Sequence, residues 1–187
     1  MSDQVTYVRL CLEMALEANR QCLLERISHR LVEMLVIGED RRFWEHAGVD
    51  LAAICRAIYH IVFHRHLQGA STIEQQLVRT LTGYRKPSLK RKLREMILAC
   101  AIGGVISKRE IAALYLCCAY YGWKMNSLAE ACKRLGISTT MASYEQAAEL
   151  VARLKYPEPH FAPAERQALI TNRASYILQQ ASSRNSL

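Results

Sequence analysis

Residues 39–50 read Glu-Asp-Arg-Arg-Phe-Trp-Glu-His-Ala-Gly-Val-Asp, and they combine two adjacent acids with two arginines, two aromatic rings and a histidine. The stretch directly follows Gly38, which we expect to end a helix, because Leu31 and Leu35 precede it at helical spacing. The acid at Glu39 has two interpretations. It is a solvated or helix-capping group, or it is one of two carboxylates that perform acid/base work on a sugar or a phosphate ester.

Helical spacing extends over most of the chain on both sides of this stretch. Capping-box patterns at residues 71–74, 107–110 and 143–146 each precede an apolar run and predict helix starts. Prolines cluster within residues 157–163 and predict a loop before a last helix over about residues 163–180. The sequence therefore predicts a mostly α, single globular domain. We divide it into an N-terminal helical segment (1–32), a main domain (33–180) and a polar tail (181–187).

Length and charge limit the classes of function. The chain has 187 residues, 51% of them hydrophobic and 22% charged, so a sizeable core is expected. The net charge of +8 favours an anionic partner. Residues 79–95 hold seven cations and one acid, which gives 7 − 1 = +6 in that segment. This segment is either a solvated face or a clamp for pyrophosphate. The absence of aromatic residues from 85–94 argues against nucleic acid as a partner.

The basic segment also has a helical pattern of apolar residues. They predict the buried stripe of a helix whose opposite face is basic: Leu89, Leu93, Met96, Ile97 and Cys100. Glu95 lies on this helix, where it is either a second catalytic carboxylate or an i,i+4 partner of Arg91.

Other patterns for metal, disulfide or membrane chemistry are weak. His60 and His64 share a helical face, but His66 lies off it and no carboxylate is near in sequence, so we predict no metal site. The seven cysteines lack a CxxC pair and are predicted to be reduced, buried thiols. The longest uncharged stretches have 12 and 13 residues, against about 20 for a membrane-spanning helix. We therefore expect no membrane anchor and no signal peptide.

Four strings in the chain resemble the ordered motifs of one enzyme family. Residues 39–50 resemble E-D-x-x-F-x-x-H-x-G-x-D, and residues 69–79 resemble G-G-S-T-I-T-Q-Q-L-x-K. Residues 91–95 resemble R-K-x-x-E, and residues 108–116 resemble K-x-x-I-x-x-x-Y-L-N. On these strings, and on their order and gaps, residues 33–176 are identified as a member of the peptidoglycan glycosyltransferases, family 51 of the glycosyltransferases.

The resemblance implies a lysozyme-like α fold and polymerisation of lipid II into β-1,4-linked glycan with inversion. It implies that Glu39 is the general base, and that Glu95 assists the pyrophosphate leaving group with the basic residues. In the family this assistance is either direct or through a divalent cation, so Mg²⁺ or Mn²⁺ is one candidate cofactor at Glu95, and no cofactor is the alternative. The matching positions are expected to bind substrate: Asp40, Phe43, His46, Ser71, Thr72, Gln75, Gln76, Arg79, Arg91, Lys92 and Lys108. Ser71 is equally consistent with a helix cap.

The resemblance also implies partners and a location. Lipid II, the nascent glycan and a membrane surface are the expected partners, with room for a protein partner. Residues 51–68 are apolar, and by resemblance they form a membrane-associated jaw, or otherwise an ordinary core helix. The expected location is bacterial, on the periplasmic or outer face of the inner membrane. Without a signal or a transmembrane segment, a soluble protein that uses another export route is also consistent with the sequence.

Several positions depart from the family pattern: Ala70, Glu74, Arg79, Gly103 and Cys117 stand for Gly, Thr, Lys, Glu and Asn. A fifth motif, aligned with residues 128–137, lacks its aromatic pair and its lysine. These departures leave two alternatives open. One is a diverged non-catalytic module that binds lipid II, glycan or protein. The other is a repurposed, soluble, toxin-like enzyme that acts on glycan.

Overall fold

Helices form all the regular structure of the residues that a computed structural model describes, namely 2–19, 27–64, 69–84 and 86–185. A short 3₁₀ helix, Phe43–Glu45, follows the second α-helix. The α-helices in chain order are α1 (Ser2–Ala18), α2 (His29–Glu39), α3 (Leu51–His64), α4 (Ile73–Thr82), α5 (Leu89–Gly103), α6 (Lys108–Cys118), α7 (Leu128–Leu135), α8 (Tyr144–Lys155) and α9 (Ala164–Asn185).

Two of the three predicted capping boxes are present. Ser107 and Ser143 cap α6 and α8, each with the reciprocal bond from the third helical residue. The prediction for α4 was wrong by one residue, because its cap is Thr72, whose side chain accepts from the Gln75 amide. Thr72 also donates to the Gly48 carbonyl at 2.7 Å, which fixes its side chain at this position. Ser71 is therefore not the cap of α4.

Gly38 does not end α2, contrary to the sequence prediction. The helix continues through Gly38 to Glu39. A Cβ atom at Gly38 would lie 3.0 Å from side-chain atoms of both Val151 and Ile177. The glycine therefore allows α2 to pack closely against α8 and α9, and the helix carries Glu39 on its last turn.

The core has two connected parts. Helix α2 packs against α8 and α9, while α4 packs between α5 and α6. Helix α1 lies on α4 and α5, and its Val8 and Leu12 belong to the same buried cluster as the rest of the core. The prediction of a mostly α, single globular domain is confirmed, in the helical class that the resemblance implied. Helix α9 runs five residues past its predicted end at Gln180, into the stretch predicted as a polar tail.

The predicted buried stripe of α5 was wrong. Leu89 is 91% exposed and Leu93 is 60% exposed, and the residues that α5 buries are Glu95, Leu98, Ala99 and Ile102. The helix turns the Glu95 face inward because that carboxylate meets an arginine of α4.

Helix α3 is also not an ordinary core helix. Ala57 is its only buried hydrophobic side chain among those described. Its large apolar side chains are exposed: Leu51, Ile58, Tyr59, Val62 and Phe63. Within the part of the chain that the structure describes, no helix is long and apolar enough to cross a membrane.

Candidate active site

Helix α4 binds both candidate carboxylates. Gln76 donates from Nε2 to Glu39 Oε2 at 3.0 Å. Arg79 donates from Nε and Nη2 to the two oxygens of Glu95, each at 2.9 Å. Because residues three apart lie on the same face of a helix, one face of α4 holds Glu39 of α2 and Glu95 of α5. The structure thus brings together two acids that the sequence could only pair by hypothesis.

Glu39 lies in a largely desolvated position. Its side chain is 14% exposed, and the Arg173 guanidinium lies 3.7 Å from its Oε1. Gln76 is itself held by the Tyr115 hydroxyl, which donates to Gln76 Oε1 at 2.6 Å. Burial raises the pKa of Glu39, and the Gln76 hydrogen bond and the Arg173 charge act against this rise. The result is a carboxylate that takes up a proton more readily than an exposed one.

Arg173 was not among the site residues predicted from the sequence. It lies on α9, and its Nη2 also donates to the carbonyl of Gly38, 135 residues earlier in the chain. No local pattern marks a residue that acts over such a separation. Tyr115 was also not among the predicted site residues, although it matches the tyrosine of the fourth motif, which was the signal that could have identified it.

Two cations of the basic segment, Arg79 and Arg91, contact Glu95. Arg91 Nε lies 3.5 Å from Glu95 Oε1, as the i,i+4 interpretation predicted. Lys92 Nζ donates to Ser71 Oγ at 2.8 Å and also to Gln75 Oε1. Burial lowers the pKa of Lys92, whereas the hydrogen bond with Glu95 raises that of Arg79. Arg79 and Arg91 therefore contact one carboxylate, and the charge of that carboxylate also acts on Lys92. Three cations near one acid leave positive charge for an anionic ligand.

Asp40 and His46 form a buried pair behind the Glu39 position. The His46 Nε2 to Asp40 Oδ2 distance is 3.0 Å, and the Ile73 amide also donates to Asp40 Oδ2 at 3.2 Å. The Gly48 amide donates to His46 Nδ1, so the proton of a neutral imidazole belongs on Nε2, facing Asp40. Burial raises the pKa of Asp40, against the opposing effect of His46. This pair fastens the loop after α2 to the start of α4.

Glu74 occupies the same buried region. It is fully buried and forms an ion pair with Lys108 of α6. The Lys108 ammonium also lies 4.3 Å from the centroid of the Phe43 ring. Glu74, where the family has Thr, therefore neutralises a lysine that the sequence analysis had assigned to substrate.

The predicted substrate-binding residues fall into two groups. One group is buried and either packed or hydrogen-bonded within the protein, so these side chains support the site from behind: Asp40, Phe43, His46, Thr72 and Gln75. The other group is partly exposed and borders the site: Ser71, Gln76, Arg79, Arg91, Lys92 and Lys108. Direct contact of either group with substrate stays a prediction.

The residues present do not fit a divalent cation at Glu95. Both of its oxygens accept from Arg79, and the Arg91 guanidinium lies 3.5 Å from one of them. Among the described residues, one trio brings potential ligand atoms within 4.8 Å of one another: Asp40, His46 and Glu74. In this trio, the lone pair of His46 Nδ1 accepts a hydrogen bond from the Gly48 amide, and Glu74 is ion-paired with Lys108. These two ligand atoms are therefore already engaged within the protein. His60 and His64 have rings 5.2 Å apart, while His66 lies outside the described residues.

Comparison with known proteins identifies the family. A family model described as transglycosylase matches residues 10–182. Penicillin-binding protein 1A of Rickettsia felis is 31% identical over 175 residues, which cover 91% of this chain and 22% of that protein. The protein of the same name from Escherichia coli is 41% identical over 102 residues, 54% of this chain and 12% of its own length. The chain thus spans about a fifth of the length of the Rickettsia relative. Because the family model covers nearly all of this chain, the protein belongs to the transglycosylase family.

Proposed function

We propose that this protein is a peptidoglycan glycosyltransferase that polymerises lipid II into β-1,4-linked glycan with inversion at the donor carbon. The observation that carries the proposal is the joint attachment of Glu39 and Glu95 to α4, through Gln76 and Arg79. One acid has a raised pKa, and the other is surrounded by cations. Such a pair provides the two functions that displacement of a pyrophosphate by a sugar hydroxyl requires.

Glu39 is the general base in this proposal. An alcohol becomes an effective nucleophile when its proton is removed during attack. A carboxylate has about four lone-pair sites, and Gln76 occupies one of those on Glu39. The raised pKa of Glu39 makes its conjugate acid a better match for proton transfer near neutral pH.

Arg79, Arg91 and Lys92 stabilise the leaving group. A pyrophosphate gains negative charge as its bond to the sugar breaks, and fixed cations stabilise that charge. Glu95 holds the Arg79 guanidinium in one plane through two hydrogen bonds. Ser71 and Gln75 accept hydrogen bonds from the Lys92 ammonium, so in this proposal they act on the substrate indirectly, by positioning Lys92.

The reaction is a single displacement. The acceptor hydroxyl oxygen forms a bond to the donor anomeric carbon while the bond from that carbon to the pyrophosphate oxygen breaks. The hydroxyl proton passes to Glu39, and polyprenyl pyrophosphate leaves with the bonding electron pair. Because the attacking and leaving oxygens are on opposite faces of the carbon, the configuration inverts.

The membrane surface is the proposed meeting place of enzyme and substrate. Lipid II is embedded in a membrane, and α3 presents exposed apolar side chains, including Val62 and Phe63. We propose peripheral contact through α3 on the outer face of a bacterial inner membrane. A net charge of +8 supports attraction to anionic headgroups.

The first test is polymerisation of lipid II in detergent by the purified chain, with Glu39→Gln in parallel and products separated on a gel. Polymer from the wild type alone supports the proposal. Polymer from both proteins removes Glu39 as the base. Saturable binding of lipid II by both, without polymer, favours the non-catalytic module, and cleavage of preformed glycan favours the soluble glycan-active enzyme.

A further inference from the structure

We propose that a groove between α1 and α5 binds the polyprenyl chain of the donor substrate, beside the cations that bind its pyrophosphate. The inference rests on the proposed function, because that function supplies a substrate with an isoprenoid chain. Leu93 and Ile97 lie on the face of α5 that the sequence predicted to be buried, and the structure exposes this face.

The groove has the size and the walls of a site for an apolar chain. Its volume is about 360 Å³, within the range of roughly 300–1,000 Å³ that is usual for ligand sites. Val5 of α1 and Leu93, Ile97 and Leu98 of α5 form its apolar walls. Leu93 is 60% exposed and Ile97 is 40% exposed. A hydrocarbon chain laid against them would remove that apolar surface from water, which is favourable in proportion to the area covered.

The charge of the groove selects an anionic amphiphile. Lys90, Arg91 and Arg94 line it, and none of the described residues that line it is acidic. The Arg94 guanidinium lies 5.9 Å from the centroid of the Tyr84 ring, another lining residue. A neutral apolar segment would bring no negative charge to Lys90 and Arg94. A chain that ends in a pyrophosphate satisfies both the apolar walls and the cations.

The groove is continuous with the proposed pyrophosphate site through one side chain. Arg91 lines the groove, and its Nε also lies 3.5 Å from Glu95 Oε1. A pyrophosphate that contacts Arg91 and Lys92 therefore has its isoprenyl end at the mouth of the groove. Among the described residues that line this groove, none belongs to α3.

The test compares soluble isoprenyl pyrophosphates of five and fifteen carbons with inorganic pyrophosphate, by titration calorimetry on the full chain. We expect the longer compound to bind the wild type about tenfold more tightly than the shorter one, because more apolar surface is covered. The double variant Leu93→Gln/Ile97→Gln should reduce that ratio to about threefold or less. Its affinity for inorganic pyrophosphate should not change. Both residues are exposed, so the fold should be kept, as circular dichroism will verify.

Val62→Gln on α3 is the matched control, because Val62 is a comparably exposed apolar residue outside the groove. It should keep the wild-type ratio. The groove is wrong if the wild type shows no dependence on chain length, or if the dependence survives in the double variant. Loss of the dependence in Val62→Gln alone would place the chain on α3 and overturn the proposal. The calorimetry needs no turnover, so it tests the groove separately from the proposed function. If the affinity of the wild type increases with chain length but no polymer forms, the proposed function is disproved and the groove is supported.

Discussion

Arg173 Nη2 lies 3.7 Å from Glu39 Oε1, the carboxylate oxygen to which Gln76 does not donate. The same Nη2 donates to the carbonyl of Gly38, one residue before Glu39. The two oxygens of the candidate base thus meet different neighbours. The Gln76 amide holds one oxygen in place, while the Arg173 cation beside the other limits how far burial raises the pKa.

Arg173 is a positioning residue whose loss should shift the pH dependence of turnover. In wild type, the positive charge of Arg173 opposes the rise in the pKa of Glu39 that burial causes. Arg173→Met removes this charge, so the pKa of Glu39 should rise further. The base must be ionised to act, and activity should therefore be lost at a higher pH than in the wild type. The measurement is the polymerisation rate as a function of pH.

The matched control is Arg41→Met, which removes an exposed arginine that bonds to α9 through Tyr176 and Gln180. Its pH profile should match that of the wild type. If Arg173→Met lowers activity equally at every pH, Arg173 only holds the fold. Arg173→Lys, which keeps the charge, should restore most of the wild-type profile.

Glu39→Gln should be at least as stable as the wild type at neutral pH. Folding raises the pKa of Glu39. Such an acid destabilises the folded state at every pH at which its carboxyl is ionised in the unfolded chain. Glutamine removes that cost, and its amide oxygen can still accept from Gln76. The gain in melting temperature should vanish below about pH 4, where the unfolded carboxyl is also protonated. Thermal melts over a pH series test this, and a uniform fall in melting temperature would mark Glu39 as structural.

Loss of Lys108 should lower the free energy of unfolding more than loss of its ion-pair partner Glu74. Lys108→Met leaves the fully buried Glu74 carboxylate without a counter-charge, at a cost of about 3–5 kcal/mol. Glu74→Thr, which restores the residue of the family pattern, leaves a lysine whose side chain is 25% exposed and can turn to water. We expect that variant to lose only about 1–2 kcal/mol. Urea denaturation measures both, with the exposed neighbour Arg109→Ala as the control.

The sequence was sufficient for residues whose roles depend on neighbours in the chain. The caps at Ser107 and Ser143 each use a partner three residues away, and both were predicted correctly. The acids at 39 and 95 were also identified as candidates. Their shared attachment to α4 was not predictable, because Gln76 reaches Glu39 across 37 residues.

The face that α5 buries illustrates the limit of hydrophobic spacing. Two apolar stripes run along this helix, one with Leu93 and Ile97 and the other with Leu98 and Ile102. The second stripe flanks Glu95, and burial of a carboxylate is costly without a partner. Arg79 supplies that partner from another helix. Spacing alone therefore favoured the wrong stripe, since the compensating charge lies 16 residues away.

Arg79→Lys tests whether the Arg79–Glu95 ion pair keeps divalent cations from binding Glu95. Arg79 engages both Glu95 oxygens at 2.9 Å, so we expect wild-type polymerisation to proceed at about the same rate with Mg²⁺ or with a chelator. Lysine keeps the positive charge, but its ammonium group lacks the planar fork of a guanidinium and cannot donate to both carboxylate oxygens in the same plane. The variant should then leave a Glu95 oxygen open to Mg²⁺, and its rate should rise several-fold as Mg²⁺ is added. A wild type that loses its activity in chelator would contradict this, because it would make Glu95 a metal ligand during turnover in spite of Arg79.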